Sequence, residues 1–188
     1  MKTVLHVGCG PYNPKKLHAT FQSEEWQEVR LDINEAVKPD IIASLTDMSA
    51  VKNESVDAVW SSHNVEHLYP HEVSIALREF WRVLKADGFA LITLPDLQPV
   101  AELIVQDKLE EPAYQSPAGP IAPLDILYGH RASIARGNHF MAHKTGFTAK
   151  SLGNALVKAG FAQVRLKRGN NFDLWAIAHK TKPATEQS

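Results

Sequence analysis

Cysteine is nearly missing from this sequence: Cys9 is the only one in 188 residues. A single thiol excludes an intramolecular disulfide framework and leaves no cysteine cluster for a structural zinc. Long apolar runs are missing too. The longest, such as Phe89–Leu94, fall far short of the ~20 residues that cross a bilayer, which excludes a membrane-spanning helix. Met1-Lys2-Thr3 leads straight into a strand-like run without the apolar core of a secretory leader, so a cytoplasmic location is expected. A third absence is local. Residues 126–172 contain no Asp or Glu but eight Lys/Arg, whereas residues 1–125 hold 10 Lys/Arg against 19 Asp/Glu. The net charge of −1 conceals this division, and the near balance argues against a nucleic-acid partner.

What is present is a globular composition, 44% hydrophobic and 22% charged, in a length that suits one domain. Residues 1–180 are expected to form it, with a frayed polar tail at 181–188. Val4–Val7 ends a β-rich run at Gly8-Cys9-Gly10-Pro11, a strand followed by a glycine turn. Pro14–Phe21 allows a short helix. Trp26–Ile33, Pro39–Ser44 and Val56–Trp60 give three more strands. From Val73 to Leu84, apolar residues recur at helical spacing, and Gly88 is expected to stop that helix. Phe89–Leu94 is a buried strand closed by Pro95. Thr148 is placed to cap a last helix ended by Gly160, before two strands joined across Gly169-Asn170-Asn171. Strands alternating with helices imply an α/β fold, a parallel sheet with helices on both faces and an antiparallel pair at one edge. Residues 96–147 break the rhythm. They offer one helix (Pro99–Leu109) and then a Pro-rich stretch, which reads as a lid or substrate-binding insertion.

Gly8-x-Gly10 after the first strand lets the backbone approach a ligand, and a helix N-terminus beyond it would favour an anionic group. The full dinucleotide fingerprint fails, because Asn13 takes the third glycine position. Asp32 lies 22 residues past Gly10 at the end of the second strand, where a carboxylate can accept both hydroxyls of a ribose. Val4–Pro11, Val29–Ile33, Ser55–Leu68, Leu77–Gly88 and Leu91–Pro95 occur in order and at family spacing. With these five motifs the chain resembles the class I S-adenosylmethionine-dependent methyltransferases, and within them the small type 11 proteins.

The resemblance implies a Rossmann-like, mostly parallel seven-stranded sheet of order 3-2-1-4-5-7-6 with strand 7 antiparallel. It implies that Gly8, Cys9 and Gly10 line the cofactor's methionine and ribose, that Asp32 holds the ribose hydroxyls and that Ile33 packs on adenine. Asp47 and Met48 would meet the adenine edge, and Ser62 and His63 would face the sulfonium and the substrate. One departure stands out: many relatives carry an acid two residues before the first glycine, and this chain has His6.

The expected activity is methyl transfer from S-adenosylmethionine to a small molecule. The alternative is a binder of S-adenosylmethionine or S-adenosylhomocysteine that has kept the fold and lost transfer. An acceptor that must lose a proton needs a base, and His63, His67, His139 and His143 are the candidates. Tyr69 and Tyr128 are candidates for the substrate pocket. Arg131 and Arg136, in the acid-free insertion, would favour a negatively charged substrate. His63-Asn-Val-Glu66-His67 also fits H-x-x-E-H, an inverted zinc-protease pattern. That chemistry needs both histidines on one helical face plus a third ligand, so no metal is expected.

Overall fold

A computed structural model describes residues 1–182; the expected tail from residue 183 on lies outside the described residues. A seven-stranded sheet organises the chain. Its strands are β1 (Lys2–Val7), β2 (Trp26–Asp32), β3 (Ile41–Ile42), β4 (Val56–Ser62), β5 (Leu84–Pro95), β8 (Gln163–Arg168) and β9 (Asp173–His179), in the order β3-β2-β1-β4-β5-β9-β8. β1 to β5 pair in parallel. β9 runs antiparallel to both β5 and β8, so it alone is reversed. This is the expected order, with β8 and β9 as the sixth and seventh strands.

Side-chain alternation sorts the core into two faces. Leu5, Val7, Val59, Ile92 and Ala176 meet helix α1 (Pro70–Val83) through Val73, Leu77 and Phe80. On the same face they meet helix α5 (Ala149–Ala159) through Leu152 and Leu156. Burying each such side chain contributes about 1.5–3 kcal/mol. Val4, Ala58, Trp60 and Leu91 look the other way and are covered by Leu17 and Phe21. Leu17 directly follows one short 3₁₀ turn, Pro14–Lys16, and Phe21 ends another, Ala19–Phe21; the two stand where one helix was expected. Trp60 Nε1 donates to the Lys16 carbonyl at 3.0 Å and pins this thin cover to the sheet. Without a helix here there is no helix–strand contact for a third glycine to permit. Asn13 instead caps the first turn, accepting from the Lys15 N–H at 3.0 Å.

Two other boundaries differ from expectation. Helix α1 ends at Val83 and the chain enters β5 at once. Gly88 therefore stops no helix. It sits in a bulge, where β4 pairs Val56 with Leu84 and then Ala58 with Phe89. The insertion also holds more structure than one helix: α2 (Leu97–Val105), a hairpin of β6 (Tyr114–Ser116) and β7 (Gly119–Ile121), α3 (Pro123–Tyr128) and α4 (Arg131–Ala135). Its ends meet. Asp96 and Phe147 form a parallel bridge, and Leu97 N–H donates to the Phe147 carbonyl at 2.8 Å. Among the described residues no helix is long and apolar enough to cross a membrane.

Candidate active site

The carboxyl ends of β1, β2, β4 and β5 lie side by side, the edge at which open α/β sheets take their ligands. At the end of β1, Gly8 and Gly10 both have positive φ, +57° and +60°. A Cβ on Gly8 would overlap the Asn64 side-chain amide, so the loop after β4 can close on this turn only because the residue is glycine. Asn64 Nδ2 donates to the Val7 carbonyl at 2.8 Å and holds the two strand ends together. Asp32, at the end of β2, accepts from Gly10 N–H through Oδ2 and from Asn34 N–H through Oδ1, each at 2.8 Å. A carboxylate offers about four acceptor positions, so each oxygen keeps one for a ligand.

The loop that follows β4 carries the histidines. His63 adopts φ +52° and its N–H donates to the Thr93 carbonyl at 2.9 Å. Val65–His67 is a 3₁₀ turn ahead of α1, so His63 and His67 do not share a helical face. This turn buries Glu66 to 1% exposure, and neither of its carboxylate oxygens has a hydrogen-bond partner. His63 Nδ1 stands 3.2 Å from Glu66 Oε1, near enough for charge attraction but off line for a hydrogen bond. Burial pushes the Glu66 carboxyl up, yet His63, His67 and His143 around it outweigh burial and hold it below the usual range. At His63 burial acts downward, and Glu66 reverses it to leave the imidazole above its ordinary value. His143 falls below its ordinary value because burial dominates there.

His143 comes from the insertion. Gly129, at the end of α3 with φ +94°, bridges to Ala142, and a Cβ on it would overlap the Met141 carbonyl. Glycine thus allows the close approach that sets His143 beside His67, with ring centroids 4.9 Å apart. A cavity of about 140 Å³ lies between this layer and the sheet edge, with His63, His67 and His143 on one side. Tyr114, Ile121, Ile126, Met141 and Phe172 supply most of its apolar wall.

Residues 5–92 match the family model of a methyltransferase domain. The chain has the class I methyltransferase fold, and over these residues, a little under half of its length, it is similar to the type 11 proteins. No curated protein matches it, but solved structures do. It is similar to an S-adenosylmethionine-dependent methyltransferase from Archaeoglobus fulgidus, with 17% identity, TM-score 0.63, and 95% of this chain and 86% of that one covered. A methyltransferase from Methanosarcina mazei is 19% identical with TM-score 0.61, covering 95% and 92%. The 1,6-didemethyltoxoflavin-N1-methyltransferase of Burkholderia thailandensis, solved with its substrate and S-adenosylhomocysteine, is 16% identical with TM-score 0.58, covering 96% and 71%.

S-adenosylmethionine is the methyl donor of this methyltransferase family, and the residues at the sheet edge fit it. The glycine turn leaves main chain accessible, Asp32 has free acceptor positions, and Ile33 beside it is 56% exposed, an open apolar surface for a purine. No α-helix follows the glycine turn, so the expected helix dipole is not there. Lys16 Nζ, 2.8 Å from where a Gly10 Cβ would lie, brings a full positive charge to the same place. His6, where many relatives carry an acid, is buried and lies with Nδ1 2.6 Å from Glu28 Oε1 of β2.

Other expected residues fall as follows. Asp47 is exposed, its carboxylate held below the usual range by hydrogen bonds from Ser49. Met48 is fully buried in the core, its N–H donating to Glu79 and its carbonyl accepting from Arg82. Cys9 is buried, and burial pushes its thiol up, away from nucleophilic use. Ser62 stays at the end of β4 beside His63. His139 is exposed on a 3₁₀ turn outside the cavity wall. Tyr69 caps α1 and carries Lys144 Nζ 4.6 Å above its ring, and Tyr128 is 63% exposed. Neither lines the cavity. Arg131 is bound by Asp125, Nε to Oδ1 at 2.9 Å and Nη2 to Oδ2 at 3.2 Å, and Arg136 reaches only Ser133. The structure does not bring these two arginines to the cavity.

Lys16, Asn64 and Asp125 carry no motif that marks them in the sequence, and Glu66 stands out only within H-x-x-E-H. The H-x-x-E-H spacing was the one signal that could have drawn Glu66 and His67 together.

Proposed function

We propose that the protein transfers a methyl group from S-adenosylmethionine to a hydroxyl oxygen or ring nitrogen of a small molecule held beneath residues 96–147. One observation carries this reading: the cavity shares His63 with the loop whose next residue, Asn64, touches the glycine turn. Donor and acceptor would therefore meet across His63. Asp32 would bind the ribose hydroxyls, Ile33 would carry the adenine, and Lys16 would pair with the donor's carboxylate. Gly8, Cys9 and Gly10 would present main chain to its methionine portion.

The acceptor attacks the methyl carbon in line, the carbon–sulfur bond breaks, and its electron pair stays on sulfur to give S-adenosylhomocysteine. His63, half exposed and oriented by Glu66, stands at the junction to take the acceptor's proton. Holding both partners aligned can supply up to about 7–11 kcal/mol of the barrier reduction. The cavity wall favours an apolar ring with one acidic hydroxyl or N–H. It does not favour an anion, since Arg131 is already bound by Asp125 and Arg136 lies outside.

The test pairs calorimetric titration with S-adenosylmethionine and S-adenosylhomocysteine with turnover on a panel of phenols and N-heterocycles, read by mass spectrometry. Binding of both, with methylation of at least one acceptor, is the expected result. Binding without turnover would favour the non-catalytic binder, and no binding of either would end the reading.

A further inference from the structure

We propose that Glu66, His67 and His143 form a site for one divalent first-row metal ion, open on one side to the acceptor cavity. One ligand atom from each of the three lies within 4.8 Å of the other two. Two histidines and one carboxylate with vacant positions is a donor set used by zinc and by iron, cobalt and nickel in their divalent states.

Hydrogen bonding fixes what these groups can do. His67 Nδ1 lies 3.1 Å from the Ala142 carbonyl and His143 Nδ1 lies 2.8 Å from the Ile126 carbonyl. A carbonyl only accepts, so each Nδ1 carries the hydrogen and each Nε2 is left with a bare lone pair. Backbone carbonyls orient metal-binding histidines in the same way. Glu66 adds a buried carboxylate with no hydrogen-bond donor on either oxygen. Three lone-pair groups thus gather in one place, with no hydrogen bond to either Glu66 oxygen and His63 Nδ1 off line at 3.2 Å, an arrangement a cation resolves. The sequence expectation of no metal turned on His63 and His67 lying off one helical face; His63 takes no part in this site, where Glu66 and His143 join His67 instead.

The role of the ion, though not its binding, rests on the methyl-transfer reading. An acceptor hydroxyl coordinated to the ion loses its proton near neutral pH, with His63 at the junction to receive it. The resulting oxyanion attacks the methyl carbon, and the sulfonium's carbon–sulfur electron pair remains on sulfur.

The experiment uses untagged, chelator-treated protein titrated with zinc chloride by calorimetry, and with cobalt chloride by visible absorption. One equivalent should bind with each ion, and cobalt should show ligand-field bands. Glu66→Gln and His143→Ala should each weaken zinc binding by at least tenfold, while S-adenosylhomocysteine affinity stays at the wild-type value as proof of folding. If His143→Ala does not fold, the nearly isosteric Glu66→Gln decides. No stoichiometric uptake, or variants that bind like wild type, would overturn the site. Zinc uptake without S-adenosylhomocysteine binding would sustain the site and overturn methyl transfer. Turnover that survives chelation would overturn the role given to the ion.

Discussion

At Asp32, two backbone N–H groups already use one lone pair on each oxygen, so the carboxylate arrives oriented for a ligand instead of swinging in solvent. Replacing it should damage the turn and, on the proposed reading, the hold on a ribose. Asp32→Ala is expected to weaken S-adenosylhomocysteine binding by about tenfold or more, since each hydrogen bond to a charged group contributes about 1.5–3 kcal/mol. Calorimetry on the folded variant checks this, and unchanged affinity would remove Asp32 from the site. Gly129 is the other position where a single atom matters. A methyl group there meets the Met141 carbonyl at a backbone angle that side chains avoid. Gly129→Ala should cost about 1–3 kcal/mol. For a chain of this size, about 2–4 °C of melting temperature is lost per kcal/mol. The same variant should displace His143, so its zinc affinity should fall with its stability; a wild-type melting curve would show that the bridge is slack.

Among the elements, α3 and α4 are joined by Asp125, which accepts from Ala122 N–H and from Arg131. Burial pushes the Asp125 carboxyl up, but Arg131 and the two backbone N–H groups prevail and hold it below its ordinary value. A carboxyl lowered on folding stabilises the fold above its unfolded value of about 3.9 and loses that contribution as pH falls through the folded value. The melting-temperature gap between wild type and Asp125→Asn should therefore be full at pH 6 and narrow below about pH 4. A gap that stays constant to pH 3 would mean the pair contributes nothing through charge. How far the elements could be read ahead of the structure follows from the same local physics. β4 and α1 were legible because Val56–Trp60 is β-rich and apolar except for Asp57, and Val73–Leu84 repeats at helical spacing. Gly88 was misread because a bulge and a helix stop place the same residue type after the same apolar stretch. The β6–β7 hairpin was hidden by Pro117 and Pro120, which read as loop when taken alone. The histidine cluster was legible only in part. The H-x-x-E-H spacing put Glu66 and His67 side by side, but His143 lies far along the chain and is brought to them by the Gly129–Ala142 bridge and by Lys144 and Thr145 N–H donating to the Glu66 carbonyl.

Across the whole molecule, stability is unevenly spread. The central strands share one large core with α1 and α5, whereas the insertion has its own small cluster around Val100, Ile121 and Ile126. Amides of α3 and α4 should therefore exchange with solvent faster than those of β4 and β5, and zinc should slow exchange around His143. Equal protection in both regions would show one cooperative unit instead of two. The bridge between Asp96 and Phe147 has a further consequence for descent. Because these two residues are neighbours whatever chain lies between them, the intervening segment is free to lengthen, shrink or be replaced without disturbing the sheet, and each doubling of its length costs only about 0.6 kcal/mol in closure entropy. The sheet and the segment it brackets can therefore change on separate schedules.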